Sequence, residues 1–265
     1  MNEQEREAII RENAKKTIRY HMPGMDAVVV RDTAYDAGGS EIPMAIYYPS
    51  APAAGARLPV AIVAFGYADP EARVRQYGPM TSWPRLIAAS GMAAVLYGTN
   101  EPATNIHAVL KHVRGHAAAL GLDDQRIGLF ASSGNVPVAL ATLMRDRALA
   151  CAALLYGYTM DLDGSTAVAD VAREHFFADA CAGKSVDDLP DTVPMLFVRA
   201  GREQFPGLNE ALDNVVSRSI ARNLPVTLVN YPSGVHGFEL EEDTEMSRGI
   251  IQQVLAFLRW HLGVV

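Results

Sequence analysis

Three polar side chains stand where buried runs of the sequence come to an end. Ser133 follows the apolar run 126–131, Glu203 follows the run 194–200, and His236 follows the run 225–231. A serine hydroxyl becomes a competent nucleophile when an imidazole takes its proton and a carboxylate fixes the tautomer of that imidazole. These residue types, in the order serine, acid, histidine, therefore predict a nucleophile, an orienting acid and a base.

The serine lies in the stretch RIGLFASSGN (126–135), where an apolar run passes through small residues into a predicted helix. A sharp strand-to-helix turn that exposes a nucleophile needs small residues two positions before and after it. Ser133 has Ala131 and Asn135 at those positions, whereas Ser132 has a phenylalanine at one of them, so we prefer Ser133. Asn135 stands where glycine is usual, and Ser132 stays the alternative nucleophile.

The acid and the base each have competitors along the chain. Glu203 is the first carboxylate after its run, and Asp161 and Asp163, which follow the preceding run, are the reserve acids. Of the seven histidines, only His236 follows a predicted strand in a loop bounded by glycines. Three others lack the partners of a metal site, so we expect no metal. These three share one predicted helix: His107, His112 and His116. A nucleophile, an acid and a base need no organic cofactor, and we expect none.

Eight short apolar runs predict the sheet that must position these side chains. Polar interruptions in the first two favour an antiparallel hairpin with one solvated face. The other six are almost continuously apolar and alternate with helical stretches, which is typical of a parallel sheet covered by helices on both faces. In such sheets, ligands bind beyond the carboxyl ends of the strands. The runs are AVVVRDTAY (27–35), PMAIYYP (43–49), PVAIVAF (59–65), MAAVLY (92–97), RIGLFA (126–131), ACAALLY (151–156), PMLFVRA (194–200) and PVTLVNY (225–231).

The remaining segments predict the helices and the domain organisation. Residues 2–19 are typical of an amphipathic helix, and we assign residues 1–25 to an N-terminal helical arm and 26–265 to one α/β domain. A helix-like segment between residues 160 and 190 interrupts the alternation and predicts a small cap over the sheet edge. Further helices are predicted around 81–90, 103–120, 135–148, 208–223 and 244–262.

Bulk composition limits the partners. With 265 residues, of which 49% are hydrophobic, the chain can bury a sizeable core. A net charge of −7 and the lack of any basic run argue against nucleic acid and against an anionic membrane surface. The charged N-terminus lacks the pattern of a secretory signal, and the two cysteines are too few for a disulfide framework, so we expect a cytoplasmic protein. The sequence leaves open whether it forms a homo-oligomer.

With the stretch RIGLFASSGN and the ordered residues Ser133, Glu203 and His236, the chain resembles the α/β-hydrolase family. The resemblance is closest to the dienelactone-hydrolase-like esterase branch of that family and covers roughly residues 26–262. The resemblance implies an eight-stranded, mostly parallel sheet and a catalytic triad in which Ser133 attacks an acyl carbonyl, His236 takes its proton and Glu203 orients His236. It also implies backbone oxyanion donors, which we assign to Tyr67 and Gly134. The motifs that carry it are FGY (65–67), RIGLFASSGN (126–135), VRAGRE (198–203) and YPSGVHGFE (231–239).

The chain departs from that branch at three places. Dienelactone hydrolases use a cysteine nucleophile where this chain has Ser133, which favours a serine esterase over a lactonase. The acid of the family is usually aspartate, and Glu203 is one methylene longer. The oxyanion segment is commonly His-Gly, and residues 65–67 read Phe-Gly-Tyr instead. Because backbone N–H groups form the hole, this last change need not abolish it.

The sequence thus predicts a serine hydrolase that cleaves a carboxylic ester of a small, largely apolar molecule. The alternatives are hydrolysis of a thioester, amide, lactone or carbon–carbon bond on the same scaffold, and a hydrolase-like protein that only binds a small ligand. Tyr67, residues 77–83, residues 97–102 and the 160–190 insertion should border the pocket. Within residues 77–83, Met80 and Trp83 could equally be core residues of the helix that follows.

Overall fold

The computed structural model of the protein describes residues 14–50, 55 and 57–264, and these residues form eight strands in a single sheet. The spatial order is β1-β2-β4-β3-β5-β6-β7-β8. Strand β2 pairs antiparallel with β1 and with β4, and all other neighbours pair parallel. The strands are β1 (Val29–Asp36), β2 (Glu41–Tyr48), β3 (Leu58–Val63), β4 (Ala93–Tyr97), β5 (Leu122–Ser132), β6 (Ala152–Leu155), β7 (Met195–Arg202) and β8 (Val226–Val235).

The burial of each strand matches its position in the sheet. Every residue of β3, β4 and β6 is buried, as expected for central parallel strands that are covered on both faces. The edge strand β1 instead exposes most of its residues, which matches its polar interruptions. The predicted hairpin and the six further strands are therefore confirmed, and so is the α/β class.

Helices cover both faces of this sheet and begin where the sequence supplies start signals. The first turns of α1, α2 and α3 contain proline, whose missing N–H costs nothing at that position. Helix α7 begins with a reciprocal capping box between Thr244 and Ser247. The helices are α1 (Gly78–Ala89), α2 (Pro102–Leu120), α3 (Val136–Arg145), α4 (Ala167–His175), α5 (Leu208–Ala221), α6 (Phe238–Glu241) and α7 (Glu245–His261).

The N-terminal segment differs from the prediction of a helix over residues 2–19. Residues 2–13 lie outside the described part of the chain, and residues 14–19 form a turn and extended chain. Their backbone groups bond to the body of the protein: Ala14 O accepts a hydrogen bond from Gly78 N at 2.7 Å, and Ile18 N donates to Ser82 Oγ. Ile18 is buried in the core. The division into an arm and a domain stays a prediction.

The insertion between β6 and β7 contains α4 and a short 3₁₀ helix, Val186–Asp188. It is tied to the loop that follows β3, because Ala178 N donates to Gly66 O at 2.8 Å and Tyr67 forms an isolated bridge with Phe177. The predicted cap therefore contacts one of the loops at the carboxyl ends of the strands. Among the described residues, no helix combines the length and the apolar character that crossing a membrane requires.

Candidate active site

The register of the sheet places four residues in two adjacent pairs. Ser132, the last residue of β5, pairs with Leu155 at the end of β6, so the next residues along the two strands are Ser133 and Tyr156. Arg202 of β7 pairs with Val235 of β8, and Glu203 and His236 follow directly. The carboxyl ends of neighbouring parallel strands thus bring the predicted nucleophile, acid and base to one edge of the sheet.

Ser133 stands at a sharp turn between β5 and α3. Its φ is +56°, in the left-handed region that a residue with a Cβ rarely adopts. It opens a single 3₁₀ turn, Ser133–Asn135, and α3 begins at the next residue. Such a backbone costs about 1–2 kcal/mol, which surrounding contacts must offset. The strained turn lifts the serine side chain clear of the strand.

Two glycines make room for this turn. A Cβ on Gly66 would lie 2.6 Å from the carbonyl oxygen of Gly134, so the loop after β3 can approach the turn only as glycine. A Cβ on Gly134 would lie 2.5 Å from Tyr67 Oη and 2.9 Å from a ring carbon of Phe177. The residue after Ser133 is therefore enclosed by the FGY loop on one side and by the insertion on the other.

A continuous hydrogen-bonded chain joins the three predicted residues. His236 Nε2 lies 2.8 Å from Ser133 Oγ, and His236 Nδ1 lies 2.7 Å from Glu203 Oε2. The carboxylate oxygen accepts from Nδ1–H, which leaves Nε2 free to accept the serine proton. Only 2% of the Glu203 side chain and 16% of the His236 side chain are exposed, so the chain of bonds is largely shielded from water.

The acid is held by the backbone that follows it. Glu203 Oε1 accepts hydrogen bonds from Gln204 N at 2.8 Å and Phe205 N at 3.0 Å. Gln204 also accepts, through Oε1, a bond of 3.3 Å from His236 N. We call residues 203–205 the acid loop. Both carboxylate oxygens of Glu203 are therefore partnered, one by the imidazole and one by main-chain donors.

The alternative residues lie elsewhere or point elsewhere. Asp161 accepts bonds from the backbone N–H groups of Val168 and Ala169 at the start of α4, and Asp163 pairs with Arg218. Ser132 has an ordinary extended backbone, with φ at −136°. Its hydroxyl interacts with the hydroxyl of Tyr156, whereas the imidazole contacts Ser133.

Asn135 has a structural role that the sequence did not reveal. Its Oδ1 accepts a bond from Gly66 N at 2.8 Å, and its Nδ2 donates to Ser132 O at 2.8 Å. The side chain is 4% exposed and so links the FGY loop to the turn at Ser133. The asparagine in the usual glycine position therefore anchors the segment that carries Tyr67.

Aromatic rings lie next to the residue that follows the serine and next to the imidazole. Tyr67 lies edge-on to Phe177, with ring centroids 6.2 Å apart, and Tyr158 stacks on the other side of Phe177 at 5.7 Å. Phe205 lies edge-on to His236 at 4.7 Å. We call these four rings the aromatic wall. Burial raises the pKa of Tyr67 to about 12 and that of Tyr158 to about 12, so both phenols stay neutral.

Beneath the imidazole is a second polar group that the sequence did not single out. The Tyr156 ring lies edge-on to His236, with centroids 4.9 Å apart, and its hydroxyl donates to a carboxylate oxygen of Glu239. Trp83 Nε1 donates to the same oxygen at 3.0 Å. We call Trp83, Tyr156 and Glu239 the floor. Burial raises the pKa of Tyr156 and also that of Glu239, with the two donors and the charge of His236 opposing the rise for the carboxyl.

The two large side chains of the stretch 77–83 are buried in the core. Met80 is 9% exposed and Trp83 is 3% exposed, because both project from α1 into the core. Trp83 packs against Phe130 of β5, with ring centroids 4.5 Å apart. Of the two readings that the sequence allowed, the core reading is therefore the one that the structure supports. In the described part of the chain, no three His, Cys, Asp or Glu side chains cluster as metal ligands would.

Comparison of sequences gives no relative: the chain matches no family profile and no curated protein. Comparison of structures does. An esterase from Pseudomonas putida ECU1011 superposes with a TM-score of 0.73 at 16% identity, over 99% of this chain and 91% of that one. Esterase Est22 gives 0.73 at 14% identity, over 97% and 89%.

A third similar structure is a bacterial heroin esterase, with a TM-score of 0.70 and 17% identity, over 98% of this chain and 90% of that one. Identities this low compare folds and do not transfer activities. The agreement nevertheless extends over almost the whole length of each protein. The chain therefore has the α/β-hydrolase fold of these esterases.

Proposed function

We propose that this protein is a serine hydrolase that cleaves carboxylic esters through an acyl-enzyme on Ser133. The single observation that carries this proposal is the unbroken chain from Ser133 Oγ through His236 to Glu203, with bonds of 2.8 and 2.7 Å. Three residues from three different strand ends, each within proton-sharing distance of the next, form the arrangement that activates a serine. The strained backbone of Ser133 is a further sign of a functional site.

The chemistry follows from the proton positions. His236 Nε2 takes the proton of Ser133 as Oγ attacks the carbonyl carbon, and the carbonyl oxygen becomes an oxyanion in a tetrahedral intermediate. The imidazolium, stabilised by Glu203, then gives its proton to the departing alkoxide as the carbon–oxygen bond of the ester breaks. A water that loses a proton to His236 attacks the acyl-enzyme, and Ser133 regains its proton as the acid leaves.

The oxyanion would be held by the backbone N–H groups of Gly134 and Tyr67. Gly134 follows the nucleophile directly, and the FGY loop is brought against it by the two hydrogen bonds of Asn135. Removing one donor of an oxyanion hole costs about 10²–10³ in turnover. In this arrangement Asn135 acts as a positioning residue for the donors and touches no substrate.

The aromatic wall supports a small, largely apolar substrate. Tyr67 and Phe177 lie against Gly134, the residue that follows Ser133, and the Phe205 ring lies against the His236 imidazole. Ring faces and edges bind acyl or aryl groups by burial of apolar surface. The three similar structures are esterases by name, which agrees with cleavage of an ester bond.

Two other functions remain as competing hypotheses. The same three residues would also attack thioesters, amides, lactones or activated carbon–carbon bonds, and a panel of these substrates separates the activities. A protein that only binds a small ligand would bind without reacting with a fluorophosphonate. Such a binder has no need for Glu203 to be bonded on both carboxylate oxygens and aligned on His236.

Replacement of the nucleophile tests the proposal. Ser133→Ala should lower hydrolysis of p-nitrophenyl acetate by at least about 10³-fold while the melting temperature changes little. Ser132→Ala is the matched control, because it removes a hydroxyl from the neighbouring position and leaves the hydrogen-bonded chain intact, so its activity should stay within about tenfold of the wild type.

Labelling identifies the reactive serine directly. A fluorophosphonate should modify the tryptic peptide 127–145, and fragmentation should assign the label to Ser133 and not to Ser132. Full activity in Ser133→Ala, or a label on Ser132, would contradict the assignment.

A further inference from the structure

A buried carboxyl group under the base has no part in the mechanism above. Within the described residues, no cationic side chain forms a salt bridge with Glu239, which is 2% exposed. Its Oε1 accepts two hydrogen bonds, from the Tyr156 hydroxyl and from Trp83 Nε1, whereas its Oε2 is buried without a partner among the described residues. Leaving a polar atom in that state costs stability, so a group kept there needs another explanation.

The contacts of Glu239 lead to the imidazole. Tyr156, which the carboxylate holds by its hydroxyl, lies with its ring edge-on to His236 at 4.9 Å. Its backbone has a φ of +33°, and its N–H is fixed to Val198 O at 2.7 Å. A tyrosine in a strained conformation, clamped at both ends and pressed on the base, is preorganised as a support.

We propose that Glu239 is a positioning residue for His236. Its carboxylate fixes the Tyr156 ring against the imidazole and supplies a second negative charge on the core side of the imidazole. Glu203 binds Nδ1 from the loop side, and Glu239 acts from beneath without contact to substrate. Because the imidazole becomes an imidazolium in the transition states of acylation and of deacylation, a buried negative charge nearby lowers the energy of both. The inference deepens the proposed function and rests on it for its kinetic consequences.

The other charges around Glu239 are few. The groups from neighbouring elements are His236 and, behind it, Glu203, whose charge also acts on Tyr156. From the N-terminal segment, Arg19 contributes its backbone N–H to Glu239 O and directs its guanidinium to Leu240 O. The remaining groups on or against helix α6 are Glu241, which pairs with Lys16, and Glu242. No cationic side chain thus stands between the carboxylate and the imidazole among the described contacts.

The test is the variant Glu239→Gln, which keeps the size and the acceptor oxygen of the side chain and removes its charge. We expect kcat to fall about tenfold and KM to stay constant, and the acid limb of the kcat/KM profile to move to lower pH by roughly half a unit to one unit. The direction follows because loss of a nearby anion disfavours the imidazolium. Glu241→Gln is the matched control: it neutralises an exposed carboxylate on the same helix and should leave the profile unchanged.

A readout that does not depend on activity separates this inference from the proposed function. The imidazole of His236 is titrated by NMR in wild type and in Glu239→Gln, with its signal assigned by its loss in His236→Gln. A lower titration midpoint in Glu239→Gln supports the inference even if no ester is hydrolysed. A folded Glu239→Gln with an unmoved midpoint and an unmoved acid limb overturns it.

Tyr156→Phe decides the question if Glu239→Gln does not fold. This variant keeps the ring against His236 and removes the hydroxyl donor, so the carboxyl holds its proton more readily and carries less charge. The midpoint and the acid limb should move in the same direction as for Glu239→Gln, by a smaller amount. Wild-type values of both in Tyr156→Phe would overturn the inference.

Discussion

The two carboxyl groups on either side of His236 are held in opposite ways. Glu203 lies in the acid loop, where two main-chain N–H groups and the imidazole satisfy both of its oxygens. Glu239 lies in the floor, where two side-chain donors share one oxygen and the other has no partner among the described residues. The first is built into the local fold of a loop, and the second depends on side chains from two distant elements.

The two carboxyl groups can therefore contribute different things to the reaction. A direct bond of 2.7 Å fixes the tautomer of His236, which no group at a distance can do. A carboxylate that acts through Tyr156 can only steady the ring and add charge, so its effect is smaller and depends on pH. Burial also raises the pKa of the Glu239 carboxyl, with its hydrogen bonds opposing the rise.

The largest effect should come from Glu203→Gln, which removes the charge of the acid loop. The amide can present its NH₂ group to Nδ1, and this favours the wrong imidazole tautomer, so kcat should fall by about 10³–10⁴-fold. Steady-state hydrolysis of p-nitrophenyl acetate measures it. Glu203→Asp, which keeps the charge, should recover part of the loss; a loss no larger than that of Glu239→Gln would show that the two carboxyl groups are equivalent.

The sequence indicated the acid loop much better than the floor, for physical reasons. Glu203 and His236 follow apolar runs, and the rule that parallel strands present their carboxyl ends at one edge brings them together. The strand β8 nevertheless extends four residues beyond its predicted end, through Pro232 and Gly234, with a register shift opposite β7. Proline and glycine favour a loop locally, and pairing with β7 overrides that preference.

The floor and Asn135 could not be predicted because their roles depend on contacts between distant segments. Glu239 stands in the quoted stretch YPSGVHGFE, but its partners Trp83 and Tyr156 lie far from it in sequence. Likewise, the sequence shows Asn135 only as an unusual residue at its position, whereas its side chain accepts a bond from Gly66, which follows the neighbouring strand β3. Local pattern reports backbone preference and burial, and it does not report which distant polar groups will meet.

An intermediate effect is expected on stability, and it concerns the buried carboxyl group of the floor. Burial raises the pKa of Glu239 above its ordinary value of 4.5, so the folded protein holds this proton more tightly than the unfolded chain. Wild type therefore loses stability relative to Glu239→Gln as pH rises through the pKa of the folded state. At acid pH the carboxyl is protonated in the folded and in the unfolded state, so the stability difference between the two proteins no longer changes with pH.

Denaturant unfolding at a series of pH values measures this dependence. The free energy of unfolding of Glu239→Gln, minus that of wild type, should increase from acid to neutral pH. Glu241→Gln should show no such increase, because its carboxylate is exposed and paired with Lys16. A difference that stays flat with pH would mean that the carboxyl of the floor is compensated as fully as that of the acid loop.

The smallest effect should come from Phe205→Ala, which tests whether the acid loop also serves the substrate. The Phe205 ring is 38% exposed and packs on one face of His236, while its backbone N–H holds Glu203. Truncation leaves that N–H in place, so kcat should change less than about threefold. The acid limb of the pH profile should stay at the same pH. Loss of apolar contact should raise KM for an aryl ester several-fold more than for a short alkyl ester. Equal changes in KM for both esters would show that this ring does not line the substrate site, and a shift of the acid limb would place it with the floor as a support of the imidazole.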